Sequence, residues 1–170
     1  APLLDKGACW CESPAEAAEG TFITFTIVGF PPDVENCILG ADGVLQAAAV
    51  PRIIVDMTTS RPVLAERIAD QAAKKNVKAL DAPVSGGDTG AREGTLAIMA
   101  GGDQDAYDEV LPLFELMGET VSRLGPAGAG QHGKMCNQIL IAGTMVGVCE
   151  SLLYAERQGL NCNDVIDIIG

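Results

Sequence analysis

Short apolar runs alternate with longer stretches in which apolar residues recur at helical spacing. TFITFTIV (21–28) is rich in β-branched and aromatic residues, which predicts a buried strand, and GFPPD ends it. RIIVDM (52–57), VKALDAP (77–83), TLAIMAG (95–101) and VSRLG (121–125) read as the next four strands. Between them lie helix signals. In CESPAEAAEG, Ser13 is the expected N-cap, Pro14 the first helical position and Glu16 the far side of a capping box. Asp33 is expected to cap a short helix through Leu39, and Thr58, Thr59 and Ser60 offer caps for the helix RPVLAERIADQAAKKN.

Strand, helix, strand at this pitch predicts an α/β fold with a mostly parallel sheet covered by helices. The link PVSGGDTGAREG has no helix-length apolar pattern, so the third and fourth strands are expected to pair antiparallel at an edge. Residues 131–158 read as one long helix, apolar nearly all round, as a helix buried between layers or domains is. Asn161 to Asp164 then cap a further helix, VIDIIG, that stops as it starts. APLLDKGA resembles a helix tail stopped by Gly7, followed by a short strand at Cys9 to Cys11. Both ends suggest truncation of a longer chain.

Composition narrows the function classes. Hydrophobic residues make up 48% and charged ones 20%, as expected for a globular chain with a real core. The net charge of -12 repels phosphate backbones and anionic lipid heads, so neither nucleic acid nor a membrane surface is an expected partner. No basic start precedes an apolar stretch, and the longest apolar run, ILIAGTMVGVC (139–149), is shorter than a bilayer span. A soluble, unexported, cytoplasmic protein is expected. Cys9 and Cys11 form C-x-C, the other four cysteines stand singly, and His132 is the one histidine, so no zinc set is legible. Buried, reduced thiols are expected instead.

GAGQHGKMCNQ (128–138) fits two phosphate motifs. Gly128, Gly133 and Lys134 match a P-loop except for its last position, where Met135 is a poor ligand for Mg²⁺. Gly128, Gly130 and Gly133 match G-x-G-x-x-G, but Glu150, at the distance of the ribose-binding acid, lies inside the long helix. A third possibility concerns side chains. On a helix beginning near Gln131, Lys134, Asn137 and Gln138 stand at i, i+3 and i+4 and share a face. The positive helix end and a half-buried site both push the lysine toward neutrality. A lysine whose neutral form is favoured in this way can serve as a general base. A solvated lysine in a first turn is the alternative.

DAPVSGG (81–87) supplies a partner. Pro83 fixes the exit of a strand, and Gly86 and Gly87 permit close backbone approach, so Ser85 and the following amides can cradle a small carboxylate. A tight loop without a ligand is the plainer possibility. Lysine helix and carboxylate cradle together point to hydroxy-acid chemistry.

DAPVSGG, GTLAIMAGG and GAGQHGKMCNQ, in this order, resemble the β-hydroxyacid dehydrogenase family, the group of 3-hydroxyisobutyrate dehydrogenase, distantly related to 6-phosphogluconate dehydrogenase. VGFPPDVENCILG and VDMTTSRP resemble that family's cofactor-cleft loops, so the similarity covers essentially the whole chain. It implies a partial Rossmann-type, doubly wound NAD(P)-binding domain over 1–128, without its first βαβ unit. It also implies that 129–170 begins an all-helical second domain. The implied activity is hydride transfer between NAD or NADP and a small 3-hydroxy acid or semialdehyde. Lys134 is then the general acid and base. Ser85, Gly86 and Gly87 hold the carboxylate, and Asn137 orients substrate with Gln138 as second candidate. Phe30 and Pro31 border the dinucleotide, and Thr59 lies near the nicotinamide ribose. A homodimer or homotetramer is implied for the complete protein, with no metal. The 170 residues alone are expected to bind cofactor weakly and turn over little. Glyoxylate, succinic semialdehyde and tartronate semialdehyde reductases share the same residues, and a non-catalytic binding or scaffold module is the alternative of another class.

Overall fold

A computed structural model of the chain describes residues 3–169. Ala1, Pro2 and Gly170 lie outside the described residues, so the helix-tail reading of APLLDKGA is followed only from Leu3 and that of VIDIIG only to Ile169. The chain divides into two compact units, Ala1–Lys134 and Met135–Gly170.

The first unit is built on a sheet whose strands β1 (Ile23–Thr26), β2 (Ile53–Asp56) and β3 (Lys78–Asp81) run parallel in step, Thr26 beside Asp56 and Asp56 beside Asp81. Helices α2 (Pro31–Leu39) and α3 (Pro62–Ala73) make the crossovers, after a short α1 (Pro14–Ala18). Beyond β3 the chain bends at Ala82 and Pro83 into the two-residue strand β4 (Val84–Ser85). After α4 (Gly87–Glu93), β5 (Leu96–Gly102) returns antiparallel to β3 and β4. Helix α5 (Gln104–Phe114) then leads to β6 (Gly118–Gly125), parallel to β5. The antiparallel pairing matches expectation, but its place at an edge does not. The α5 crossover lays β6 on the other side of β5, so β5 is interior and β6, whose outer positions are exposed, forms the border.

Both faces of the sheet are covered, which is why β2 is buried at every position. Ile53, Val55, Leu80 and Ile98 pack with Val110 and Phe114 of α5 on one face. On the other, Ile54 packs with Val34, Ile38, Ile68 and Ala72 from α2 and α3. Each such aliphatic side chain contributes about 1.5–3 kcal/mol on leaving water.

Several local signals act differently from expectation. Ser13 caps α1 by accepting from the Glu16 amide at 3.1 Å, but the Glu16 carboxylate accepts from the Glu12 amide rather than from Ser13. Helix α2 starts earlier than Asp33, because Pro31 and Pro32 need no N–H partner in a first turn; Asp33 sits at N3 and accepts from the Phe30 amide at 2.8 Å. Helix α3 begins at Pro62 after Arg61, so Thr58, Thr59 and Ser60 do not cap it. Helix α4 occupies the link read as helix-free. Gly90 is its one buried residue, so it needs no apolar stripe, and Gly94 at φ +71° ends it. Leu4–Lys6 form a 3-10 turn stopped by Gly7 at φ +91°, but Cys9 to Cys11 form no strand.

Helix α6 (Ala129–Arg157) spans both units, and α7 (Cys162–Ile169) follows, with Asn161 Oδ1 accepting from the Asn163 amide. Within this chain the apolar middle of α6 is not buried. Ile139, Leu140, Met145 and Val146 are 55–70% exposed, because none of the described elements covers them. Expectation and structure also differ over residues 139–149. The helix carrying that run has 29 residues and, by length and composition alone, meets the requirement for crossing a membrane. The six cysteines are free thiols, as expected, but none is buried; Cys9, Cys136 and Cys149 are exposed and the others half-buried.

Candidate active site

The carboxyl ends of β1, β2 and β3 bring Thr26, Asp56 and Asp81 side by side, all nearly sealed from water. Asp56 Oδ1 accepts from the Thr26 hydroxyl at 3.0 Å and from the Thr58 amide at 3.1 Å. Asp81 reaches across to the start of α6, Oδ1 accepting from the Gly128 amide at 2.7 Å and Oδ2 from the Gln131 amide at 2.9 Å. Burial pushes both carboxyls above the ordinary carboxylate range, hydrogen bonds pull each back, and the charge of Asp81 raises Asp56 further.

This arrangement accounts for the glycines of GAGQHG. Gly128 adopts φ +87°, a backbone state that side chains disfavour. At Gly130 a Cβ would stand 2.6 Å from Asp81 O and closer still to Met99 O, so only glycine lets α6 seat on the sheet. The helix-start amides thus serve a carboxylate of the chain itself.

One turn further, Lys134 Nζ donates to Ser85 Oγ at 3.2 Å, with both residues half-buried. Burial pulls the lysine below the usual 10.5. Ser85 ends β4, and the bend after it turns on Gly86 at φ +130° and Gly87 at φ +64°, both exposed. Open space surrounds the position of a Cβ at Gly87, so a small ligand can approach the bend beside the amine. Lysine and serine-glycine bend, far apart in sequence, are therefore brought together. Asn137 and Gln138 belong to the second unit, where Asn137 Nδ2 donates to Gln138 Oε1 at 3.1 Å.

The residues expected to border a dinucleotide stand at the carboxyl ends of β1 and β2, where open α/β sheets bind such ligands. Phe30 is 72% exposed at the entrance to α2. Pro31 lines a cleft of about 390 Å³ with Pro32, Glu35, Arg61, Val63 and Leu64. Thr59 is exposed in the loop after β2. Beside it the Ser60 hydroxyl is buried without a protein hydrogen-bond partner, so the loop has polar capacity for a bound group, which fits a nicotinamide dinucleotide. A larger groove of about 610 Å³, lined by Asn76, Lys78, Gly102 and Arg123 among others, includes neither Lys134 nor Ser85.

Sequence reasoning passed over three supports of the site. Asp56 and Asp81 each end a buried strand, RIIVD and VKALD, and an acid closing two successive apolar runs was the available signal. Gln131 carried no signal beyond its place in the first turn of α6.

Fold and site together define a Rossmann-type nicotinamide-dinucleotide domain continued by a lysine-bearing helix. Residues 1–125 match the family described as the NAD binding domain of 6-phosphogluconate dehydrogenase. Residues 128–170 match that described as NAD-binding of NADP-dependent 3-hydroxyisobutyrate dehydrogenase. The chain belongs to the β-hydroxyacid dehydrogenase family.

Among relatives, it is 47% identical over 167 residues to the uncharacterized oxidoreductase YkwC of Bacillus subtilis, covering 98% of this chain and 58% of that protein. It is 41% identical over 157 residues to 2-hydroxy-3-oxopropionate reductase of Escherichia coli, covering 92% and 54%. The solved Mycobacterium tuberculosis 3-hydroxyisobutyrate dehydrogenase with L-serine superposes with a TM-score of 0.84 at 32% identity, covering 94% of this chain and 54% of that one. The chain spans about half the length of the curated relatives it matches. The matched families make the cofactor a nicotinamide dinucleotide, NAD or NADP.

Proposed function

We propose that the protein carrying this chain is an NAD(P)-dependent dehydrogenase of 3-hydroxyisobutyrate type, interconverting a small 3-hydroxy acid and its semialdehyde with Lys134 as general acid and base. The observation that carries this reading is the 3.2 Å contact between a half-buried lysine amine and the serine of an open Ser-Gly-Gly bend. A bound nicotinamide would supply the hydride acceptor for the carbon that bears the hydroxyl. Lys134, in its neutral form, takes the hydroxyl proton as the C=O bond forms, and returns it in the reverse direction. Burial favours that neutral form because it penalises the ammonium. Ser85, with the backbone of Gly86 and Gly87, receives the substrate carboxylate, and Asn137, or Gln138 in its place, orients the substrate. Phe30, Pro31 and Thr59 border the dinucleotide. The name of the E. coli relative describes reduction of a semialdehyde, which is the same chemistry run backward.

The test is oxidation of a panel of 3-hydroxy acids by the gene product that carries this chain, followed through nicotinamide absorbance. Lys134→Ala is expected to lower kcat by about 10²–10⁴-fold. Lys134→Arg, which cannot deprotonate, should be equally slow. Oxidation by the unsubstituted protein should rise with pH and level off below 10.5, because the neutral amine is the working form. Near-full rates in Lys134→Ala would remove the lysine from the mechanism.

A further inference from the structure

Gln131 is only 2% exposed and makes three hydrogen bonds to two segments distant in sequence. Its amide donates to Asp81 Oδ2 at 2.9 Å, its Nε2 donates to Thr58 O at 2.8 Å, and its Oε1 accepts from the Ser60 amide at 2.7 Å. The loop 58–60 is the one that holds Thr59 and the orphaned Ser60 hydroxyl, and Lys134 lies one helical turn beyond Gln131. Through Asp81 the same residue is also tied to the strand that leads, four residues on, to Ser85.

A single planar amide thus supplies both a donor and an acceptor to a loop segment with no regular structure. A carboxylate could not donate to Thr58 O, and an apolar side chain could do neither. Given the reading above, on which this inference rests, we propose that Gln131 is a positioning residue. It clamps the cofactor-side loop 58–60 to the first turn of the lysine helix and so sets the separation between proton acceptor and hydride acceptor. The reaction is sensitive to such a clamp because a displacement of about 1 Å at a reacting centre can cost on the order of 10²-fold in rate.

The experiment compares Gln131→Met, which keeps the volume and loses both side-chain bonds, with Gln131→Glu, which keeps only the acceptor. Three readouts are taken on the intact protein: kcat and KM for the hydroxy acid, the primary deuterium isotope effect on hydride transfer, and hydrogen exchange in the peptide spanning residues 58–61. Gln131→Met is expected to speed exchange in that peptide. It should also lower kcat by about 10–100-fold, raise the isotope effect, and leave KM within about twofold, since Ser85 and Lys134 are untouched. Gln131→Glu should lie between it and the unsubstituted protein in exchange and kcat, and it carries the test if Gln131→Met does not fold. Unchanged exchange would show that the amide holds nothing. Faster exchange with unchanged kcat would show that the clamp does not position the reaction. Either overturns the inference. Failure of the unsubstituted protein to oxidise any 3-hydroxy acid would instead defeat the functional reading, while the exchange measurement would still report on the clamp.

Discussion

Gly130→Ala separates two explanations of GAGQHG. A Cβ at residue 130 would lie 2.6 Å from Asp81 O and 2.9 Å from Asp81 Oδ2, and would overlap Met99 O as well. Asp81 O and Met99 O belong to paired strands and cannot swing aside, so α6 has to lift. Overpacking of this kind costs about 1–3 kcal/mol. Lifting the helix also stretches the Gly128 and Gln131 bonds to Asp81, and hydrogen bonds to a charged group contribute about 1.5–3 kcal/mol each. Losing one of them brings the total to roughly 3–5 kcal/mol, a fall in Tm on the order of 10 °C for a protein of this size. Gly143→Ala in the same helix is the control. Nothing lies within 4 Å of its added methyl, and removing a glycine from a helix interior is worth about 0.5–1 kcal/mol in stability. Both variants are followed by thermal denaturation and by titration with NADPH on the intact protein. A Gly130→Ala protein that melts within about 2 °C of the unsubstituted one but no longer binds the dinucleotide would refute the seating argument. It would return the glycines to a phosphate-binding role.

Two further outcomes are expected. Asp56→Asn keeps an oxygen for Thr26 and Thr58 while removing a buried charge, and because burial raises the Asp56 carboxyl, the folded state binds more protons than the unfolded chain just above pH 3.8. Asp56 therefore costs stability as pH rises through its raised folded value, so the Tm difference favouring Asp56→Asn should grow between pH 4 and pH 7.5; a difference independent of pH would contradict this. The exposed apolar side chains of α6, including Ile139, Leu140, Met145 and Val146, should make the 170-residue chain self-associate, and Leu140→Lys with Val146→Glu should reduce the association seen by light scattering. A clean monomer before substitution would count against it.

The strands were legible because the two-sided sheet buries them, as Ile53, Ile54 and Val55 illustrate by facing alternate cores within one apolar run. The Lys134–Ser85 pair was legible through chemistry rather than periodicity, since an amine and a serine-glycine bend have few joint uses. The edges of elements were less so. Pro31 and Pro62 start helices that hydroxyl and carboxylate caps were expected to start, because a proline's preset φ and missing N–H suit the first helical position, and Asp33 acts from N3 rather than from the cap. Helix α4 escaped because a helix that buries only Gly90 leaves no apolar trace. What covers α6 could not be read, since an all-round apolar helix states that it needs partners and not which residues provide them.

The double motif at 128–138 has a single physical origin. A helix that must approach a sheet closely needs glycine where strand carbonyls stand, and its unsatisfied first-turn amides need an acceptor. In a nucleotide site that acceptor is a phosphate, and the same glycine spacing results. In this chain the acceptor is Asp81, already present at the end of a buried strand and bonded to Gly128 and Gln131. The glycine pattern therefore encodes a close helix start and leaves the identity of the anion open. What decides it lies some fifty residues earlier, in the acid that ends VKALD beside the acid that ends RIIVD. With the helix end neutralised internally, no phosphate is required there. The lysine one turn on is then held by the seated helix against Ser85, where burial lowers its affinity for a proton.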